Sequence, residues 1–185
     1  MSRARWRDAN RPTDLMRRKP TAFWRFSLAT YGDPEVAAAC LALQDLCGAD
    51  VNLLLYCCWL GQSGRALDKR ALRAALRAVA ELQSNIIRPL RQSRRALRRA
   101  PRGMSKAWAK ELKDRLATAE IDLEYIEQRL LLAAAKRLTP TKRKVAPRAA
   151  IAATLSRYLT LLKVPLAHPG RRHADTLLDA CCPVA

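Results

Sequence analysis

The sequence predicts an all-α fold, a compact helical bundle with three short N-terminal helices, a long antiparallel helix hairpin and a C-terminal helix. Valine, isoleucine and threonine are sparse, and the apolar residues are mostly alanine and leucine, so strand propensity is low throughout. Apolar residues recur at spacings of three and four, the period of a helix with one buried face. A chain of 185 residues is also long enough to bury a real core.

The three short helices fall in a stretch that contains no lysine or arginine, residues 27–63. This stretch carries four acids, whereas the whole chain has a net charge of +19. Thr21, Asp33 before Pro34, and Asp50 are typical residues for helix starts, and Gly48 is a typical helix stop. We therefore expect helices over residues 22–31, 34–47 and 51–60, with the core built around them.

The predicted hairpin begins with a fourth helix, which starts at Asp68 and is kinked or ended near residue 87 by Pro89. Arginines around and after this proline recur at spacings of three and four and form an arginine stripe: Arg88, Arg91, Arg95, Arg98 and Arg102, broadened by Arg94 and Arg99. The longest helix follows, from Lys106 to about residue 138. Its apolar residues follow 4-3-4-3-4 spacing from Leu112 to Leu130, which predicts a buried seam.

Three acids of the long helix share one flank: Glu120, Glu124 and Glu127. We expect them on a solvated, salt-bridged face, with the acidic helix set against the arginine stripe.

The predicted chain organisation has five parts. Residues 1–20 are expected to be a basic flexible arm, 21–138 the helical core domain, and 139–148 a basic linker. An amphipathic C-terminal helix is expected over residues 149–163, and a flexible tail over residues 164–185.

Several functional classes lack their sequence signatures. The first twenty residues contain no apolar segment like that of a secretory signal, and no stretch is apolar enough to span a membrane, so a cytoplasmic protein is expected. No phosphate-cradling glycine motif or metal-ligand spacing occurs, and the two histidines lie far from most cysteines. We expect no cofactor, no metal and unpaired cysteine thiols.

Four polar residues near the end of the second helix and the start of the third are expected to form a polar core cluster: Gln44, Asp45, Asp50 and Asn52. Asp45 opposes the dipole of its own helix and has apolar neighbours, so it needs a partner from outside the stretch 27–63. We predict a buried ion pair with Arg88 or Arg91, whose loss in Asp45→Ala would cost about 3–5 kcal/mol.

The stretch around these residues resembles a family. The pattern FWxFSLxxYxxPxVAxACLxLQDxxGxDVNLLLxxxWLG is similar to that of an uncharacterised proteobacterial family of small proteins, a domain of unknown function. The matching residues are Phe23, Trp24, Phe26, Ser27, Leu28, Tyr31, Pro34, Val36, Ala37, Cys40, Leu41, Gln44, Asp45, Gly48, Asp50, Val51, Asn52, Leu53 and Trp59. The resemblance implies a cytoplasmic bacterial protein and brings no established activity.

The sequence leaves three functional hypotheses open. The first is a non-enzymatic helical interaction protein whose strongly basic surface binds an acidic protein partner. The second is sequence-tolerant association with RNA or ribosomes through ten basic residues: Arg88, Arg91, Arg94, Arg95, Arg98, Arg99, Arg102, Lys142, Arg143 and Lys144. The third is a small enzyme that uses Asp45, Asp50 and Asn52, which requires an open pocket over them. The oligomeric state is not predicted.

Overall fold

The computed structural model describes residues 20–136, 145–165 and 167–182. Every regular element in these ranges is helical, which confirms the all-α prediction. The helices are α1 (Ala22–Tyr31), α2 (Pro34–Cys47), α3 (Val51–Gln62), α4 (Lys69–Leu82), α5 (Arg88–Ala96), α6 (Lys106–Lys136), α7 (Pro147–Leu161) and α8 (Arg171–Cys181), and a π-helical segment, Gln83–Ile87, joins α4 to α5.

The first three helices begin where their capping residues predict. The side chains of Thr21, Asp33 and Asp50 each accept a hydrogen bond from a backbone N–H in the first turn of the helix that follows. Gly48 ends α2 in the left-handed conformation with φ of 66°. Only two residues therefore separate the end of α2 from Asp50, the capping residue of α3. This short turn holds the polar residues at the end of α2 near those at the start of α3.

Helix α3 is the centre of the bundle, and nearly all of it is buried. Helix α7 packs closely against α3 at Gly61, because glycine has no side chain. A Cβ added there would collide with Cγ1 of Ile151. On the other side Phe23 of α1 stacks on Trp59, with ring centroids 5.2 Å apart. The stretch free of lysine and arginine is therefore the core, as its composition predicted.

Helices α4 and α5 form the expected hairpin with α6, but α6 buries a different face from the predicted one. Leu112 and Leu130 of the predicted seam are 41% and 37% exposed, whereas Glu120 and Glu127 are 0% exposed. The predicted solvated acidic flank is therefore wrong. The reason is that α5 and the π-helical segment present arginine and amide groups to α6, so its acids face inward to meet them.

The end of the chain is more ordered than predicted. Residues 171–181 of the expected flexible tail form α8, which packs Ala174, Leu177 and Cys181 into the core. The helix predicted at 149–163 is α7, with bounds Pro147–Leu161. Two predicted segments lie outside the described residues: the basic arm, apart from Pro20, and most of the basic linker, which includes Lys142, Arg143 and Lys144.

Within the described ranges, every helix is too short or too polar to cross a membrane.

Candidate functional site: a buried carboxyl network beneath an arginine-lined cleft

The four residues of the predicted polar cluster lie around the α2–α3 turn, but the structure divides them. Asn52 is buried and faces the interior, and Asp50 is half-buried at the helix cap. Gln44 is half-buried and Asp45 is exposed, both in the last turn of α2. One pair therefore belongs to the core and the other to the surface.

A buried network of amides and carboxyl groups surrounds Asn52. Its Nδ2 donates a hydrogen bond of 2.6 Å to Oε2 of Glu127. Gln83 Nε2 donates to Oε1 of Glu127 and to Oδ2 of Asp50, each at 2.6 Å. The Asp50 carboxyl lies close enough to Glu127 to raise the pKa of that acid. The network thus holds two acids near each other, bridged by the amide of Gln83.

The same network crosses the bundle in both directions. Gln128 Nε2 donates to Oδ1 of Asn52 at 2.9 Å and to Oγ of Ser27 on α1 at 3.0 Å. On the other side, the backbone N–H of Asp50 donates to the hydroxyl oxygen of Tyr158 on α7 at 2.8 Å. Polar contacts therefore connect α1, α3, α6, α7 and the π-helical segment through the centre of the fold. Such networks specify one packing arrangement when their members are satisfied.

Glu127 lies in an environment that favours its protonated form. Burial and then the adjacent Asp50 raise the pKa of Glu127 well above its ordinary value of 4.5. A proton on Glu127 lowers the electrostatic cost of holding two carboxyl groups so near each other.

The π-helical segment places Gln83 in the network. The backbone N–H of Arg88 donates to the carbonyl of Gln83, five residues earlier, instead of four as in an α-helix. Pro89 explains the change, because its ring would clash with the carbonyl four residues before it and it has no N–H to donate. The kink expected at Pro89 is therefore a π turn, after which α5 continues without a break.

Two arginines of α5 bind acids on α6. Arg91 donates to Oε1 of Glu124 and to Oε1 of Gln44, each at 2.9 Å, and is 8% exposed. Arg94 Nε donates to Oε1 of the buried Glu120 at 2.6 Å. Burial favours a lower pKa for Arg91, but the attraction of Glu124 and other acids outweighs it and raises that pKa. Both arginines therefore join α5 to α6 and hold the hairpin together.

The prediction that Asp45 pairs with Arg88 or Arg91 is wrong. Asp45 Oδ1 accepts from NH2 of Arg95 at 3.1 Å, and the two side chains are 58% and 50% exposed. Arg91 points inward to Glu124, and Arg95, one helical turn later, emerges at the surface opposite Asp45. The ion pair exists, but it lies in solvent.

We therefore expect Asp45→Ala to cost less than about 1 kcal/mol, the usual value of a solvated ion pair, instead of the value for a buried one. Urea unfolding of the two proteins, followed by circular dichroism, measures this difference. A loss above about 3 kcal/mol would show that Asp45 does far more than bind Arg95.

A cleft of about 240 Å³ opens beside this pair, between the end of α2, the α2–α3 turn and α5. Its lining includes Asp45, Asp50, Arg88, Arg91 and Arg95. Among the described residues, the Arg88 side chain makes no hydrogen bond or ion pair, and it is exposed. Asn52 lies behind the cleft and does not line it.

The predicted polyanion-binding residues do not form one stripe. Arg88 and Arg95 are exposed on α5, and Arg98, Arg99 and Arg102 are exposed after α5 ends at Ala96. Arg91 and Arg94 face inward, so including them among surface residues was wrong. The remaining three predicted residues are Lys142, Arg143 and Lys144, outside the described ranges.

Sequence reasoning missed Gln83, Glu127 and Gln128 as members of the buried network. One feature of the sequence could have indicated Gln83: it is a polar residue on an otherwise apolar helix face, just before the proline kink. Glu127 and Gln128 had none, because acids and amides on a long helix are ordinarily solvated.

The described cysteines and histidines do not line the cleft. All six cysteines are free thiols. Cys47 lies 3.8 Å from Nδ1 of His168, but burial raises the pKa of this thiol and keeps it protonated. Within the described ranges, no group of three or more histidine, cysteine, aspartate or glutamate residues is arranged to hold a metal ion.

A family model described as Protein of unknown function (DUF2390) matches residues 22–131. The chain belongs to this family. The DUF2390 match runs from α1 into α6 and contains both acids of the carboxyl pair, Gln83 and the whole arginine-lined cleft; Tyr158 on α7 lies beyond it. No curated protein and no solved structure matches the chain.

Proposed function

We propose that the protein is a non-enzymatic helical interaction protein that binds an acidic protein partner at the arginine-lined cleft. The observation that carries this proposal is that Arg88 has no ion-pair partner. Its guanidinium is exposed on the cleft wall, and no described residue balances its charge. Arg95, next to it, is held only by a solvated pair, which a competing carboxylate can replace.

The two acids that line the cleft do not prevent this binding. Asp50 Oδ1 accepts from two backbone N–H groups of α3, and its Oδ2 from Gln83. The raised pKa of Glu127 behind it favours the uncharged form of that acid. The charge of Asp50 is therefore dispersed among donors. Asp45 is exposed and can turn into solvent when a partner carboxylate takes its place.

An acidic protein fits the site better than RNA. A nucleic-acid backbone is bound by several cations that contact successive phosphates, and affinity grows with their number. Arg91 and Arg94 interrupt such a row on α5 because they are committed to Glu124 and Glu120. A cleft with one unbalanced arginine suits a single carboxylate of a partner.

One feature of the cleft favours the alternative hypothesis, that the protein is an enzyme. Asp50 lies on its wall with Glu127 behind it, an acid with a raised pKa, and such an arrangement can take up or release a proton. The pair is nevertheless satisfied by Gln83 and Asn52, and its inner member is 0% exposed. These contacts favour a structural role, so binding remains the proposal.

We expect the double charge reversal Arg88→Glu and Arg95→Glu to weaken binding of fluorescein-labelled oligoglutamate at least tenfold in 50 mM salt. The reason is that two attractive charges at the cleft become repulsive. Fluorescence anisotropy measures the affinity, and labelled oligouridylate serves as the RNA probe. Wild-type affinity for oligoglutamate should fall as salt rises.

The matched control is Arg70→Glu and Arg73→Glu, which reverses two exposed charges on α4 away from the cleft. This control should weaken binding far less. If the two double variants behave alike, the cleft is not the site. If oligouridylate binds and oligoglutamate does not, the RNA hypothesis replaces this one.

A further inference from the structure

The arginine-lined cleft continues into a second hollow. This hollow, of about 380 Å³, lies between α4, the π-helical segment and α7. It shares Gly48, Asp50, Gln83 and Arg88 with the cleft. The two are therefore parts of one groove that runs over the α2–α3 turn, with Arg88 at the junction.

The two halves of the groove differ in chemistry. The cleft is lined mainly by arginines and amides, whereas aliphatic side chains form much of the second hollow: Leu76, Val79, Ala80 and Leu162. The exposed Arg77 also lines the apolar half, so two cations, Arg77 and Arg88, border the aliphatic surface. Apolar surface in a hollow of this kind is a favourable place for a partner's hydrophobic side chain.

We propose that the groove binds an acidic peptide segment in which a bulky aliphatic side chain directly adjoins acidic residues. This inference rests on the proposed binding of an acidic partner and specifies that partner's chemistry. The aliphatic side chain enters the hollow between α4 and α7, and flanking carboxylates meet Arg88 on one side and Arg77 on the other. Lone acidic residues would leave the apolar half empty, and a phosphate backbone has no aliphatic group to offer it.

The charges around the apolar half support this occupant. Arg77 and Arg88 are both exposed, and neither makes an ion pair with another described residue. The acid nearest to them in the groove, Asp50, is already satisfied by α3 and Gln83. The groove thus offers two unbalanced cations around an aliphatic surface, the complement of an acidic–aliphatic–acidic segment.

The test compares two labelled peptides of equal length, an oligoglutamate and the same peptide with leucine at its centre. We expect the leucine peptide to bind the wild-type protein at least tenfold more tightly, although it carries one charge fewer. Ala80→Trp places an indole in the apolar half from an exposed helix position. This variant should lose the tenfold advantage and keep its affinity for oligoglutamate.

Ala78→Trp is the matched control, because Ala78 is exposed on the same helix and does not line the hollow. It should retain the tenfold advantage, and circular dichroism checks that both variants are folded. If the leucine peptide binds no better than oligoglutamate, or if both tryptophan variants behave alike, this inference is wrong while the proposed function stands. If neither peptide binds, both fail.

Discussion

Replacing Arg91 with alanine should lower the free energy of unfolding by about 3–5 kcal/mol, the largest loss expected from any single residue at the cleft. The substitution leaves the buried carboxylate of Glu124 without the guanidinium at 2.9 Å and takes a hydrogen bond from Gln44. A buried carboxylate that loses a guanidinium partner keeps its desolvation cost with less to compensate it. Urea unfolding measures the loss.

Arg95→Ala is the matched control, since Arg95 lies one turn later on α5 and pairs with Asp45 in solvent. It should cost less than about 1 kcal/mol. Replacing both Arg91 and Glu124 by leucine should recover much of the loss, because the buried carboxylate is removed together with its guanidinium partner. Equal losses in Arg91→Ala and Arg95→Ala would contradict the view that the inner pair holds the hairpin.

Glu127→Gln should remove a pH dependence from the stability of the protein. The folded protein holds a proton on Glu127 because the pKa of this acid is raised above 4.5, whereas the unfolded chain releases that proton near its ordinary pKa. Between pH 4.5 and the raised pKa, folding therefore takes up a proton and stability falls as pH rises. The slope approaches about 1.4 kcal/mol per pH unit.

The informative quantity is the difference in unfolding free energy between wild type and Glu127→Gln at pH 5, 6, 7 and 8. The amide of the variant has only one acceptor oxygen, while Gln83 and Asn52 each donate to Glu127. The variant should therefore be less stable at pH 5, by about 1–3 kcal/mol, and this deficit should shrink or reverse as pH rises. Glu111→Gln, at an exposed position of α6, should show no such trend. A constant deficit would mean that Glu127 is ionised in the folded protein.

Local chemistry explains which parts of the fold the sequence could predict. The starts of α1, α2 and α3 depend on Thr21, Asp33 and Asp50, whose side chains bond to backbone groups two or three residues away. Such signals act within a single turn, so the sequence alone is enough to locate them. The same holds for Gly48, the helix stop whose positive φ favours glycine.

The buried network could not be predicted, because its contacts join distant parts of the chain. Asn52 and Glu127 are 75 residues apart in sequence, and Gln83 and Glu127 are 44 apart. Helical periodicity identifies the apolar residues of α6, but the elements packed against it decide which face is covered. Its neighbour α5 presents arginines, so the covered face carries acids. Helix α8 was missed for a related reason: no side chain caps its start, and packing against α2 stabilises it.

The π-helical segment also sets how long the chain must be between α4 and α5. Successive residues of a helix are separated by about 100° of rotation, so if Gln83–Ile87 were α-helical with the same number of residues, all of α5 would be turned by about that angle relative to α4. Arg91 and Arg94 would then face away from Glu124 and Glu120, and the neighbouring residues would take their places facing α6. We therefore expect natural relatives to vary in length at the surface loops, such as residues 97–105, and to keep the π turn wherever they keep this residue count. The wide turn acts as a one-residue spacer that matches the amide of Gln83 and the arginines of α5 to acids on the same opposing helix.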